Sequence, residues 1–97
     1  MFEIRQTSVF SDWLRGLRDV SARAIIARRI ERMAGGNFGD HKSVGEGVAE
    51  LRIAVGPGYR VYYTHHGKQI VVLLCGGDKG SQRRDISKAK LLANQLE

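Results

Sequence analysis

Two arginines in neighbouring stretches of the sequence are the first residues with a possible chemical use. Arg52 lies in a run where polar and apolar residues alternate, and Arg60 lies in a second such run after the turn Gly56-Pro57-Gly58. Alternation of this kind is typical of a half-buried strand, because successive side chains point to opposite faces of a sheet. We therefore predict that Arg52 and Arg60 are close neighbours on one face of an antiparallel pair.

A second group of residues is expected beside these arginines. Tyr62 falls on the same face as Arg60 by the same alternation, and Asp78 and Lys79 follow the end of the next apolar strand. Guanidinium groups side by side repel each other, so their pairing favours an anion between them. A phosphate group suits that place because a planar guanidinium presents paired donors that match phosphate oxygens.

A cluster of such cations has a specific use in RNA chemistry. It can bend an RNA backbone and stabilise the charge that builds on a phosphate while the neighbouring 2′-hydroxyl attacks it. Cleavage of this kind needs no metal ion and no strong general base. In the alternative interpretation, Arg52 and Arg60 are solvated strand residues paired with Glu50. The convergence of Lys79 and Tyr62 on the pair favours the RNA site.

The charge of the chain agrees with a polyanionic partner. The 97 residues contain 16 lysines and arginines against 10 acidic residues, which gives a net charge of +6. Excess positive charge favours binding to RNA, DNA or an acidic protein but does not choose among them, and a basic domain without a nucleic-acid role stays open. The C-terminal stretch is especially basic, and we expect its cations to contact RNA; they are Arg83, Arg84 and Lys88.

Histidine and cysteine do not form a recognisable metal site or catalytic set. His41 lies in a glycine-rich stretch, and His65 and His66 lie at a predicted turn. The one cysteine, Cys75, cannot complete a zinc site with them, and its apolar strand favours a core position over a nucleophilic role. The phosphate-loop pattern GxxxxGK[ST] is absent. We predict neither a metal ion nor a cofactor.

The N-terminal third is predicted to form a strand and two helices. Phe2 and Ile4 alternate with polar residues as in a strand, and two apolar stripes at helical spacing follow. Thr7 or Ser8 can cap the first helix, and Asp19 can cap the second. The glycine-rich stretch from 36 to 47 predicts a loop.

The rest of the chain is predicted to form three strands and a helix. The strands cover about residues 48–55, 59–64 and 70–75, the glycines after Cys75 end the last one, and Ser81 can cap the final helix. The strand at 70–75 is apolar on both faces, which is typical of a central strand. We expect one α+β domain over residues 1–97, with helices in one layer on a small antiparallel sheet, in the order β-α-α-β-β-β followed by a C-terminal helix.

Nothing in the sequence predicts a membrane span or export. The longest apolar run, 70–75, is far shorter than the ~20 residues that cross a bilayer. The N-terminal segment carries Glu3 and lacks the apolar core of a secretory signal. A single cysteine excludes an internal disulfide framework and suits a reducing compartment, so we expect the cytoplasm.

Several of these motifs together resemble a known group of proteins. They are Glu50-Leu51-Arg52-Ile53, Gly56-Pro57-Gly58-Tyr59-Arg60-Val61-Tyr62-Tyr63 and Leu73-Leu74-Cys75-Gly76-Gly77-Asp78-Lys79, followed by Gln82, Asp85-Ile86 and Ala89-Lys90. With them the chain resembles, over nearly its whole length, the RelE/ParE toxin superfamily and its HigB-like addiction module killer protein branch. The GPGYRVYY and GGDK stretches carry most of the specificity.

The resemblance implies a function as well as a fold. It implies a bacterial toxin of a two-gene toxin–antitoxin module, whose RelE-like members bind the ribosomal A site and cut mRNA there. It implies a cognate antitoxin, typically a helix-turn-helix protein, as partner. Arg60 matches the family arginine after Gly-Tyr, Lys79 matches the basic residue after the last strand, and Arg52 lies near the basic residue of the preceding strand at a slightly different spacing.

The C-terminal residues separate this chain from some of its RelE-like counterparts. Some of them carry a tyrosine or histidine near the C-terminus that assists proton transfer, and residues 80–97 contain neither. Asp78 is the candidate proton acceptor in its place, and Tyr62 is expected to orient or stack on a base. ParE-like members of the same superfamily act on DNA gyrase by protein contact, and this remains the alternative function. A plain nucleic-acid-binding module without toxicity is a third.

Overall fold

The computed structural model describes residues 1–96 and contains eight regular elements joined mostly by short turns. In chain order they are β1 (Glu3–Gln6), α1 (Ser8–Gly16), α2 (Val20–Ala34), β2 (His41–Gly45), β3 (Val48–Ile53), β4 (Tyr59–His66), β5 (Ile70–Asp78) and α3 (Gln82–Asn94). A single 3-10 turn, Lys79–Ser81, joins β5 to α3. The predicted α+β class, the N-terminal helix pair and the C-terminal helix are confirmed.

The five strands form one mixed sheet in the order β1-β5-β4-β3-β2. Strands β2 to β5 run antiparallel to their neighbours, but β1 pairs with β5 in parallel, with Glu3 opposite Ile70. The expectation of a purely antiparallel sheet is therefore wrong at this edge. The direction of a pairing between strands so distant in sequence is not encoded by a turn, whereas hairpin turns fix the others.

The loop predicted over residues 36–47 is wrong in part, because it contains strand β2. His41–Gly45 pairs with β3, and Gly45, Glu46 and Gly47 form the turn between the two strands with φ angles of 96°, 54° and 78°. Positive φ angles are the reason for glycine at this turn. The glycines thus mark the turn correctly, but the residues just before it are extended and extend the sheet by one strand.

Helices cover both faces of the sheet, so the expectation of a single helical layer is wrong. One core lies under α1 and α2, and its largest fully buried members are Phe10, Ile26, Met33, Leu51, Ile53 and Leu73. A second core lies under α3 and contains Tyr62, Leu74, Cys75 and Ala89. Strand β5 carries apolar side chains on both faces, and packing of helices on both faces of the sheet removes these side chains from water. It lies inside the sheet as expected, although β4 is the middle strand.

Side-chain caps start both N-terminal helices where the sequence predicts them. Thr7 Oγ1 accepts a hydrogen bond from the backbone N–H of Phe10, and an Asp19 carboxylate oxygen accepts one from that of Ala22. Thr7 also donates to the carbonyl of Leu74, which fixes the start of α1 to β5. Within residues 1–96, no helix has the length and apolar character needed to cross a membrane.

Candidate functional site

Arg52 and Arg60 face each other directly across strands β3 and β4. Directly opposite residues in an antiparallel pair lie on the same face, with Cβ atoms roughly 4.5–5.5 Å apart. Gly77 of β5 is the next residue in this row, opposite Arg60. The prediction that the two arginines are close neighbours on one face is therefore confirmed. The next position across the sheet is Gly77, which has no side chain.

The anion between the two arginines is a carboxylate of the protein itself. Glu50 is only 1% exposed, and its Oε2 lies 3.0 Å from Arg52 Nε and 3.8 Å from Arg60 Nε. Ionic pairing with Glu50 was the alternative interpretation of these arginines, and the pairing is present. They are nevertheless not solvated strand residues, because the Arg52 side chain is 34% exposed and that of Arg60 only 13%.

The guanidinium of Arg60 is held against the turn before β4. Its Nη1 donates to the carbonyls of Gly58 and Tyr59, at 3.3 Å and 3.2 Å. Its buried Nε has no hydrogen-bond partner among residues 1–96 and relies on the longer ionic contact with Glu50. These contacts leave Arg60 little freedom to change direction.

Lys79 lies beside Arg60 at this end of the sheet. Its backbone N–H donates to the same Gly58 carbonyl at 2.8 Å. A Cβ atom placed on Gly58 would lie 3.5 Å from Lys79 Cβ and 3.6 Å from Arg60 Nη1, so both residues border this glycine. Lys79 is exposed. We refer to Arg52, Arg60 and Lys79 as the cation cluster.

Asp78 is occupied with capping the 3-10 turn. Its Oδ1 accepts hydrogen bonds from the backbone N–H groups of Gly80 and Ser81, at 2.8 Å and 3.3 Å. This fixes the carboxylate next to Lys79 at the rim of the sheet. Its use as a proton acceptor stays a prediction.

Tyr62 is not available to a base, so its predicted role in stacking is wrong. The residue is 0% exposed because α3 packs over the face of the sheet that carries it. Its hydroxyl has no hydrogen-bond partner among residues 1–96. Burial, together with the nearby carboxylate of Glu50, raises the pKa of Tyr62 above the ordinary value of 10.0.

The three cations predicted to contact RNA lie on the solvent side of α3. Arg83, Arg84 and Lys88 are all exposed. The two arginines line an open groove at the start of the helix together with Ser81 and Ser87. They follow Lys79 closely along the chain, so the positive surface continues from the cation cluster onto the first turns of α3.

Three residues of the site were not identified from the sequence. Lys42 is exposed and lies opposite Glu50 on β2, which places a further cation on this face. Gln82 Nε2 donates to both oxygens of Glu50, at 3.0 Å and 3.3 Å. Asp85, one turn later on α3, is 7% exposed and lies over Gly77. Polar residues three positions apart on the inward face of an amphipathic helix were the available signal for Gln82 and Asp85.

Metal-binding residues do not gather in the part of the chain that the structure describes. Residues 1–96 contain no group of three or more histidine, cysteine, aspartate or glutamate side chains that could hold a metal ion. The cation cluster itself offers positive charges, hydrogen-bond donors and the nearby carboxylate of Glu50.

A family model and a similar protein both match the part of the chain that contains the cation cluster. The family model for the phage-derived protein Gp49-like (DUF891) matches residues 12–96, which include β3, β4, β5 and α3. An uncharacterized protein from Haemophilus influenzae is 51% identical to the chain over 94 residues, which cover 97% of this chain and 95% of that protein.

Proposed function

The chain belongs to the phage-derived Gp49-like family, and on this premise we propose that it is the toxin of a type II toxin–antitoxin module. The family is toxin-like and related to RelE, which agrees with the resemblance of the GPGYRVYY and GGDK motifs. We propose further that the protein is an endoribonuclease that cuts mRNA on the ribosome and so inhibits translation. Besides the ribosome and mRNA, its partner would be a cognate antitoxin, typically a helix-turn-helix protein. We propose that the protein acts in the cytoplasm.

The gathering of Arg52, Arg60 and Lys79 at one end of the sheet is the observation that carries this proposal. The two arginines are cross-strand partners, and Lys79 shares the Gly58 carbonyl with Arg60. Three cations close together can bind the scissile phosphate and stabilise the charge that grows on its oxygens. Arg83, Arg84 and Lys88 would hold the backbone beside it.

The proposed reaction is an internal transfer at phosphorus. The 2′-hydroxyl oxygen forms a bond to phosphorus and gives up its proton, the bond from phosphorus to the 5′ oxygen breaks, and the leaving 5′ oxygen takes up a proton from water. The products are a 2′,3′-cyclic phosphate and a 5′-hydroxyl. Asp78 is the candidate acceptor of the proton, and the cation cluster supplies the electrostatic stabilisation. Loss of one such cation typically costs about 3 kcal/mol in the transition state.

Mapping of mRNA 5′ ends in a cell-free translation reaction tests the proposal. We expect new ends only when purified protein and ribosomes are both present. Lys79→Ala is the informative variant, because Lys79 is exposed and its removal leaves the core intact. Lys68→Ala removes another exposed lysine, in the turn between β4 and β5 at the opposite end of the sheet, and is the matched control. Cleavage by Lys79→Ala at the rate of Lys68→Ala would contradict the mechanism.

Arg60→Ala, the obvious variant, is less informative than the sequence suggested. A direct contact between Arg60 and phosphate predicts that this variant loses toxicity while staying folded. The Arg60 guanidinium is largely buried, however, and its removal leaves the Glu50 carboxylate with one cation fewer. Loss of one cation beside a buried carboxylate lowers stability, so a loss of toxicity would not separate catalysis from folding.

The contacts of Arg60 also favour a second candidate function. Its Nη1 is used by two backbone carbonyls, and the guanidinium already has an anionic partner. An arginine committed in this way suits a structural role on a scaffold that inhibits DNA gyrase by protein contact. Gyrase inhibition would appear as a loss of DNA supercoiling in a purified reaction, with no new mRNA ends.

A further inference from the structure

We propose that Glu50 is a positioning residue of the site: its buried carboxylate sets the orientation of Arg52 and Arg60 and links both to the first turn of α3. The inference rests on the proposed function for what the arginines do to RNA. What Glu50 holds in place is independent of that function.

The placement of Glu50 makes it the centre of the polar contacts on this face. It precedes Arg52 by two residues on β3, so both side chains point the same way, and it lies diagonally from Arg60 on β4. Its Oε2 accepts a hydrogen bond from Arg52 Nε at 3.0 Å and lies 3.8 Å from Arg60 Nε. One carboxylate oxygen therefore serves both cations.

A fixed negative charge is needed because the two arginines are directly opposed. Like charges at opposite positions of an antiparallel pair destabilise it. Without Glu50, Arg52 can lower the repulsion by turning toward solvent, while Arg60 stays held by the Gly58 and Tyr59 carbonyls, and the two guanidinium groups move apart. With Glu50, the three side chains carry a net charge of +1, which still attracts an anion at the exposed edge of Arg52.

Gln82 extends this arrangement to α3. Its amide nitrogen donates to both oxygens of Glu50, and it is neutral, so the carboxylate charge stays available to the arginines. Gln82 is followed by Arg83 and Arg84 on the same turn. The carboxylate thus ties the cations on the sheet to the cations on the helix.

Glu50 does not itself contact substrate in this arrangement. Its side chain is 1% exposed, and both oxygens are already engaged by Arg52 or Gln82. A group that accepts the proton of a 2′-hydroxyl must come within hydrogen-bond reach of it. Asp78, at the rim, remains the candidate for that step.

The first test is direct and does not depend on nuclease activity. In protein labelled with ¹⁵N-arginine, the Arg52 Nε–H should exchange slowly with water, and Glu50→Gln should shift its resonance and speed its exchange about tenfold or more. Gln82→Ala is the control, because it removes the link to α3 but leaves the Arg52 contact. An Arg52 signal that is the same in Glu50→Gln and wild type would overturn the inference, even if the protein proves to be a nuclease.

The second test separates positioning from overall stability. For Glu50→Gln, we expect the cleavage rate at saturating ribosome-bound mRNA to fall about 10²-fold. Binding of a short single-stranded oligonucleotide that lacks the attacking 2′-hydroxyl should tighten, with a salt slope steeper by about 0.7, because one negative charge is gone. If rate and binding both fall in parallel with the melting temperature, Glu50 has only a structural role.

A second variant keeps the inference testable if Glu50→Gln does not fold. Glu50→Asp keeps the negative charge, but its side chain is one methylene shorter, so the carboxylate lies farther from Arg52. The Arg52 Nε–H should again exchange faster, and cleavage should again slow. Wild-type exchange and wild-type cleavage in a folded Glu50→Asp variant would overturn the inference. If wild-type protein cuts no RNA but the arginine signals respond as expected, the proposed function fails and the positioning role stands.

Discussion

The carboxylate of Asp85 occupies the space where a side chain on Gly77 would lie. A Cβ atom placed on Gly77 would overlap Asp85 Oδ2 and lie 2.8 Å from its Cγ. On the neighbouring Gly76, a Cβ atom would overlap the ring of Trp13. The two glycines of β5 therefore admit a carboxylate from α3 and an indole from α1, and neither has a positive φ angle.

Gly77→Ala should be strongly destabilising. The methyl group cannot be accommodated without moving Asp85, which is buried and accepts a hydrogen bond from Ser81 Oγ. We expect a loss of about 3 kcal/mol in the free energy of unfolding, measured by urea denaturation. Gly16→Ala is the control: a Cβ there meets nothing within 4 Å, and alanine at this helix end should be neutral or slightly stabilising. Equal midpoints for the two variants would contradict this account of Gly77.

These glycines also show why the end of β5 was predicted incorrectly. A glycine pair after an apolar run is a common strand-ending signal, and it predicts that the strand stops at Cys75. It continues to Asp78. Glycine as a turn residue and glycine as a place of close approach look the same in one sequence, and only the neighbours from α1 and α3 distinguish them.

Tyr62→Phe should leave the protein at least as stable as wild type. The Tyr62 hydroxyl is buried without a hydrogen-bond partner among residues 1–96. The variant therefore removes a polar group whose desolvation is not offset by a hydrogen bond. We expect an increase of about 1 kcal/mol in the free energy of unfolding, with an unchanged dependence on urea concentration. Cleavage of mRNA should be unaffected, because the ring does not reach solvent. A large loss of stability would instead reveal a buried water or partner bound to the hydroxyl.

Alkaline pH should destabilise the protein in part through Cys75. Burial, with a smaller contribution from Asp85, raises the pKa of this thiol from 9.0 to about 11. The fold thus prefers the neutral thiol, and this stabilisation is complete below pH 9 and is lost as pH rises through 11. Urea unfolding at a series of pH values should show a loss on the order of 2 kcal/mol between these limits. Cys75→Ala should flatten this part of the profile; an equally steep profile in that variant would assign the loss to Tyr62 and Tyr63, whose pKa values burial also raises.

The cation cluster was predictable because its determinants are local. Alternation along β3 and β4 assigned Arg52 and Arg60 to one face, and the short turn between the strands brought them together. The burial of Tyr62 on that same face was not predictable in this way. Whether a sheet face is open depends on where a distant helix packs, and the apolar stripe of α3 alone does not say which face it covers. The contact of Glu50 with Gln82 was not predictable for the same reason, because Gln82 belongs to that helix.

Arg83 and Arg84 provide a test of RNA contact that is separate from cleavage. Both are exposed at the start of α3, so replacing them with alanine should change the surface charge without changing the core. Each phosphate contact on a single strand contributes about 0.7 to the slope of log affinity against log salt concentration. The double variant Arg83→Ala, Arg84→Ala should therefore reduce the slope by about 1.4 for a short single-stranded RNA. The matched control is Arg28→Ala, Arg32→Ala, which removes two exposed arginines from α2 on the other side of the sheet. If both double variants reduce the slope equally, RNA binds through the overall charge of the protein, and the start of α3 is not a specific contact surface.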